Sequence, residues 1–430
     1  RIQHSVVHRA DGALHMSAGK RRAVNQRIKG ELKKGTYRIF FSTYLKAADV
    51  DHLPSYFTLA DEAGQATEPA TCVILASAIL GGHVMIVGDA QQLPPSLQDR
   101  RSAWGGLDIS LLARLQRAHD GLPHIIMLDT QYRMHPDIQR FPNTMFYAGR
   151  LSCGIPPHQH PVRLHGFPWP DMDDVTRQRQ QEWPDPASVG AVVAQEVHRE
   201  VLVHCPAPEQ VDNRNSVFNN GQAEMVRRIV RAMDLRGRTC LVLTPYRAQA
   251  NKLSDLSAAN VQVATVDASQ GQEADLVIVT LVRANPQGAL GFTVDARRLN
   301  VAITRARAGV IIVGHVPSLL SATESGFPEL VTALHSRQCL LQWTGVAPRA
   351  MTAAEFQEAQ MPMPDEAQTT EAKEAKARRT NAKQDAWATA WRHRLGSPEE
   401  ERNQRVAALL LELPDLLDQL TASRAFLAAL

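Results

Sequence analysis

Eight short runs rich in Val, Ile and Leu constrain this chain more than any other feature. They are "YRIFFST", "YFTLADE", "HVMIVGD" and "HIIMLDT" in the first half, and "TCLVLTP", "VQVATVD", "ADLVIVTLV" and "AGVIIVGH" in the second. None shows the clean alternation of a strand with one wet face, so each reads as a strand buried on both faces. Between them Met225, Ile229 and Met233 fall at i, i+4 and i+8, the stripe of a covering helix. Strands alternating with helices predict an α/β fold with parallel sheets, in which polar groups collect where strands end.

At 430 residues there is room for two or three domains with full cores. Apolar content of 44% and charged content of 21% are those of a globular protein. No apolar run approaches the roughly 18 residues of a membrane span and no signal-peptide layout is present, so no membrane partner is expected. Five cysteines, Cys72, Cys153, Cys205, Cys240 and Cys339, are scattered and never in CxxC spacing. That argues against a disulfide framework or zinc module and fits a reducing, intracellular compartment, cytoplasmic or nuclear. A net charge of +3 identifies no partner, but residues 1–38 carry ten Lys or Arg against two acids. Such a stretch suits a phosphate-rich partner and equally a basic solvated helix.

Residues 154–210 hold many Pro, His and Trp without a sustained period. "GIPPHQHPVRLHGFPWPD" reads as loop and "VGAVVAQEVHREV" as helix-like, so a connecting insert is expected there. A first α/β domain is then expected over 36–153 and a second over 211–343. Past it the composition turns to Ala, Glu, Gln and Arg, predicting a linker and helical tail over 344–430. Ser397, Pro398 and Glu400 would open a capped helix that Pro414 kinks or ends. Its Leu-rich face suits the protein body or a protein partner.

Several strand ends carry chemistry. "FTLADEAG" stops at Asp61 and Glu62, a pair able to hold Mg²⁺ and orient a water, or simply a solvated turn. "VMIVGDAQQLPP" places Asp89 after Gly88, with the amides of Gln91 and Gln92 available to a phosphate oxygen or water. "LDTQYRMHP" offers the flat ring of Tyr132 and the donor fork of Arg133, while His135 beside Pro136 suits packing or capping better than catalysis. In "VDASQGQEAD" Gly271 permits close backbone approach, and Gln270 and Glu273 can bond ribose or water. On a helical wheel "RRLNVAITRAR" buries Leu299, Ile303 and Ala306, with Arg298 and Arg305 on one flank and Asn300 and Arg307 on the other. Arg305 and Arg307 are therefore expected to serve different tasks.

Together and in this order, "DEAGQATEPA", "GDAQQLPP", "QYRMHP", "TPYRAQ", "VDASQGQEAD" and "RRLNVAITRAR" resemble the superfamily 1 helicases of the up-frameshift, senataxin and Aquarius group, over roughly residues 30–335. The resemblance implies two RecA-like domains of P-loop NTPase type, with ATP and Mg²⁺ in their cleft and single-stranded RNA or DNA across their top. It implies Mg²⁺ on Asp61, water activation by Glu62, a γ-phosphate sensor in Gln92 and adenine stacking on Tyr132. Arg133 and Arg305 become arginine fingers, with Asp89, Gln270, Gly271 and Glu273 lining the nucleotide. Strand contacts fall on Ser42, Thr43, Thr244, Pro245, Tyr246, Arg247 and Ser269. Movement from 5′ to 3′ is implied in the same way.

The sequence departs from the family in two places. Where the family has Asn and, three residues on, Glu, this chain has Asn219 and Gln222. The phosphate cradle GxxxxGK[ST] is also not found. "SAGKRRA" sets Arg21 after Gly19 and Lys20, and Leu14 stands where the first Gly belongs. Residues 1–35 resemble instead the basic helical subdomain that the family inserts between cradle and "DEAG". With Arg1 in place of Met, a truncated first domain within a longer helicase is expected. A nucleic-acid-binding module that has lost hydrolysis is the alternative.

Overall fold

The computed structural model describes residues 41–44, 57–78, 83–97, 102–103, 105–118, 125–161 and 199–361, less 234, 236, 286–287, 323–324 and 344–347. Contacts divide the chain into two compact units, Arg1–Pro364 and Asp365–Leu430, and all described residues lie in the first. The expected basic subdomain at 1–35 and the capped helix at Ser397 lie outside the described residues.

In the first half, β1 (Phe57–Ala60) pairs in parallel with β2 (His83–Ile86), Leu59 opposite Met85, and α1 (Glu68–Ala78) connects them. Next come α2 (Leu111–Ala118), β3 (Thr130–Gln131), α3 (Pro136–Tyr147) and β4 (Ser152–Cys153), with β3 parallel to β4. Of the expected strand "HIIMLDT" only its last residue enters a ladder. Residues 125–129 find no neighbouring strand among the described residues, and Ile126 and Leu128 are 79% and 80% exposed. Apolar composition alone does not form a strand without a partner for its N–H and C=O groups.

The second half is a seven-stranded sheet. Its strands are β5 (Glu200–His204), β8 (Cys240–Thr244), β9 (Val261–Thr265), β10 (Ala274–Thr280), β11 (Ala306–Gly314), β12 (Leu340–Trp343) and β13 (Pro348–Ala350). They stand in the order β13-β12-β5-β11-β10-β8-β9, all parallel except β13. A small antiparallel pair, β6 (Gln210–Val211) and β7 (Val217–Phe218), stands apart. The helices are α4 (Asn220–Ala232), α5 (Arg247–Lys252), α6 (Ala296–Ile303), α7 (Val316–Leu320), α8 (Phe327–Ser336) and α9 (Ala353–Gln360). Met225, Ile229 and Met233 are all buried, as their spacing predicts.

Two elements differ from expectation. The last two residues of the helix-like "VGAVVAQEVHREV", Glu200 and Val201, open β5, a strand buried along its whole length between β11 and β12. The sheet therefore takes a strand from the stretch read as connecting insert, because a short apolar run fits either period and its neighbours decide. Residues 348–361, read as the start of a linker, form instead β13 and the capping-box helix α9, whose Phe356 is buried and stacks on His335 at 3.9 Å between ring centroids. Among the described residues no helix is long and apolar enough to cross a membrane.

The carboxyl ends of these strands are buried and polar. Asn219 caps α4 through its Oδ1 to Gln222 N at 2.9 Å. Gln222 Oε1 then accepts Thr280 Oγ1 at 2.9 Å and Val282 N at 2.8 Å. Val282 has φ +70°, a conformation costly for a β-branched residue, and the neighbouring amide side chains hold it there. At the position where the family has Glu, the bonds received need only an acceptor oxygen, which Gln supplies without a charge.

At the end of β5, His204 Nδ1 accepts Val316 N at 3.1 Å. Burial, and next the charge of His315, pull its pKa from 6.5 down to about 4. A folded-state pKa below the unfolded one means stability present above pH 6.5 and lost as pH falls toward 4. Urea unfolding should show this histidine removing about 2 kcal/mol on going from pH 7 to pH 5, and His204→Asn should lose correspondingly less over the same interval.

Candidate active site

The loops after β1 and β2 touch backbone to backbone. A Cβ on Gly64 would lie 2.8 Å from Asp89 O, and one on Gly88 would lie 2.8 Å from Gly64 N. Two glycines thus bring "DEAG" and "GD" together. Asp61 Oδ1 accepts Glu62 N at 2.9 Å, and Asp61 O accepts the Tyr44 hydroxyl at 2.7 Å. Burial, together with the charges of Asp61 and Glu62, raises the Tyr44 pKa to about 12. Glu62 adopts φ +53°, uncommon outside glycine, and its Oε2 accepts Gln65 Nε2 at 2.9 Å and Gln270 Nε2 at 3.3 Å. Among the described residues no group of three His, Cys, Asp or Glu forms a metal cage. One or two exposed carboxylates such as Asp61 and Glu62 suit Mg²⁺, which keeps its waters and takes further ligands from phosphates.

Asp89 anchors the next loop. Its Oδ1 accepts Gln91 N at 2.9 Å, while its Oδ2 accepts Gln92 Nε2 at 2.9 Å and the Tyr147 hydroxyl at 2.6 Å. Gln92 Oε1 in turn accepts Arg305 Nη2 at 3.3 Å from the second half of the chain. Arg305 is 3% exposed and also donates to Val301 O and Thr304 Oγ1. Burial first, and then the charge of Arg133, lower its pKa to about 10, which leaves it protonated near neutral pH.

Arg133 sits in a loop organised by Gln131, whose Oε1 accepts Arg133 N and Met134 N and whose Nε2 donates to Met134 O and Gln139 Oε1. Its guanidinium reaches Glu273 Oε2 at 2.7 Å and Thr304 O at 3.0 Å. Glu273 also pairs with Arg307. The bonds from Arg307 and then Arg133 hold its carboxyl below the usual range. His135 caps α3 through Nδ1, which accepts Asp137 N at 3.2 Å. Tyr132 is 72% exposed, with one side of its ring against Gly154, where a Cβ would come within 2.2 Å of Cε1.

Several expected details differ. The helical wheel fails after Ile303, since α6 ends there and Ala306 opens β11. Arg305 and Arg307 do take different partners, but a helix-to-strand turn separates them rather than helical flanks. Gly271 has φ +77° with open space around it, so its requirement is conformational and not crowding. Among the expected strand contacts, Ser42, Thr43 and Arg247 are exposed and Pro245 is half-buried. Thr244, Tyr246 and Ser269 are buried, with Tyr246 OH accepting Arg283 Nη1 at 3.2 Å and Ser269 Oγ donating to Val266 O at 2.7 Å. They offer a strand no exposed side chain.

Sequence reasoning missed Gln65, Gln131, Tyr147 and Gly154. Gln65 and Gln131 lie inside "DEAGQATEPA" and "QYRMHP" but were given no role, whereas Tyr147 and Gly154 act on partners distant in the chain, for which a single sequence carries no signal.

Two family models, each described as an AAA domain, match residues 21–100 and 107–317. The chain is similar to the ATP-dependent helicase NAM7 of Saccharomyces cerevisiae, 34% identical over 301 residues, 66% of this chain and 28% of that protein. It is similar to the DNA replication ATP-dependent helicase/nuclease DNA2 of Mus musculus, 33% identical over 302 residues, 66% of this chain and 27% of that protein. The chain thus spans less than a third of the length of the curated relatives it matches. A solved complex of Arterivirus nonstructural protein 10 (helicase) with DNA overlaps with TM-score 0.28 at 15% identity, covering 60% of this chain and 40% of that one.

The glycine contact sets an expected outcome. Gly64→Ala should cost about 1–3 kcal/mol in chemical denaturation, because the intruding methyl meets backbone that cannot rotate away.

Proposed function

The chain belongs to the superfamily 1 helicases of up-frameshift type, with a RecA-like α/β fold, and on that premise we propose that it is the motor part of an ATP-dependent helicase or translocase on single-stranded nucleic acid. The observation that carries this reading is a cleft closed by side chains from both halves of the chain: Glu62 with Gln270, Gln92 with Arg305, and Arg133 with Glu273. Each pair joins a group from the first half to one from the second, so a nucleotide bound between them would be felt by both.

In this reading Asp61 would hold Mg²⁺, which would supply charge neutralisation at the phosphates of bound ATP. Glu62, its carboxylate oriented by Gln65 and Gln270, accepts a hydrogen bond from the attacking water and aims it. Gln92 bonds the terminal phosphate or the water, held in place by Asp89. Arg133 and Arg305 set two permanent charges against the phosphates, and Glu273 and Gln272 O preposition their guanidinium groups. Tyr132 gives its open face to the base, and Asp89, Gln270, Gly271 and Glu273 line the nucleotide. Ser42, Thr43, Thr244, Pro245, Tyr246, Arg247 and Ser269 form the strand path, the buried ones through their backbone. RNA is proposed ahead of DNA and movement from 5′ to 3′. The five free thiols suit an intracellular site, cytoplasmic or nuclear.

A second reading, a nucleic-acid-binding module without hydrolysis, is favoured by one observation: residues 1–430 contain no GxxxxGK[ST]. Without that lysine and its backbone nest the β- and γ-phosphates lack a holder, so these 430 residues alone should hydrolyse ATP negligibly. RNA-stimulated hydrolysis by them, lost on Glu62→Gln, would refute this expectation.

The two readings separate in the full-length protein. The motor reading expects RNA-stimulated ATP hydrolysis that falls at least about 10³-fold in Arg305→Ala and comparably in Glu62→Gln, while oligonucleotide binding without nucleotide stays within about twofold. Strand binding with no hydrolysis in the wild type would support the binding module instead.

A further inference from the structure

Tyr147 and Asn300 have no task in the proposed chemistry, yet both are tied into its parts. Tyr147 is the last residue of α3, where Ala148 turns left-handed and ends the helix. Its hydroxyl donates to Asp89 Oδ2 at 2.6 Å and accepts Asn300 Nδ2 at 2.9 Å. Asp89 Oδ2 also accepts Gln92 Nε2 at 2.9 Å, and Gln92 Oε1 accepts Arg305 Nη2 at 3.3 Å. Arg305 Nε returns to Val301 O at 3.0 Å, next to Asn300 on α6. The links close into a ring running through Tyr147, Asp89, Gln92, Arg305, α6 and Asn300. Asn300 Nδ2 adds a second tie, to Gln91 O at 3.0 Å.

The chemistry of the gap selects its occupant. An ionised Asp89 only accepts, and the Asn300 amide nitrogen only donates, so the group between them must do both at once. A phenol does this at the end of a rigid ring, whereas Phe does neither. Burial and the neighbouring Asp89 raise the Tyr147 pKa, which keeps the proton in place. Asn300 is fully buried, and its Oδ1 has no partner among the described residues, so its amide acts through Nδ2.

We infer that Tyr147 is a positioning residue whose hydroxyl latches the Asp89–Gln92 loop to α6 and so fixes Gln92 against Arg305 across the cleft. The catalytic consequence rests on reading Gln92 as phosphate sensor and Arg305 as arginine finger; the latch itself does not.

Hydrogen–deuterium exchange of wild type and Tyr147→Phe tests the latch without any need for turnover. The expected result is about tenfold faster exchange in peptides covering residues 89–92 and 300–305, with β8 and β10 unchanged. Exchange unchanged in both peptides, or raised equally across the sheet, overturns the latch. Asn300→Ala should loosen the same two segments, and loosening there without it in Tyr147→Phe overturns the hydroxyl as the link. In the full-length protein, Tyr147→Phe should lower kcat for ATP about tenfold with KM within about twofold. A fall in line with lost folded fraction, or no fall, overturns the catalytic consequence. A wild type that hydrolyses no ATP overturns the motor reading, while the exchange result still decides the latch.

Discussion

Strands β5, β8, β10 and β11 are buried on both faces, and from that burial the rest of the arrangement follows. A parallel strand flanked by strands and covered by helices has no wet side, so charge is expelled to its ends and to the turns beyond. Glu273, Thr304 and Arg305 lie just before β10 and β11 begin, while Thr244, Thr280 and His204 close their strands. Each sits where backbone groups leave the ladder and need partners.

Polar groups gathered this way are costly unless satisfied, and here they satisfy one another across the chain's two halves. Arg305 is buried but donates to Val301, Thr304, Gln272 and Gln92. Asp89 receives three donors. Such a network is worth most when complete, because each missing partner leaves a desolvated group behind. Gln270 Oε1, Gln272 Oε1 and Asn300 Oδ1, buried without partners among the described residues, are incomplete members of the cleft.

Much of this was legible in the sequence because it is local. Apolar runs with Val and Ile marked β8 to β11, and the stripe through Met225 and Ile229 marked α4. Motif order pointed to Glu62, Gln92, Arg133 and Arg305, each of which bonds a residue of the other half of the chain, and to Asp61, which bonds Glu62 N. What stayed hidden depends on neighbours. β5 fell within the stretch read as connecting insert because its short apolar run is ambiguous until β11 and β12 flank it, and "HIIMLDT" read as a strand because composition does not reveal whether a partner exists. Tyr147 carried no signal, since its value lies in Asp89 and Asn300, 58 and 153 residues away. Gln222 does remove a charge, and what the sequence did not reveal is that the two bonds its Oε1 receives require only a carbonyl oxygen, while its Nε2 is buried without a partner among the described residues.

The Tyr132 ring leans on Gly154 with one side and leaves the other open. A platform with a single free face admits one flat group and senses its breadth, since stacking is tolerant of which atoms decorate the edge. In the proposed site it would hold any purine almost equally well, so any preference among nucleoside triphosphates has to come from groups that meet the ring's rim.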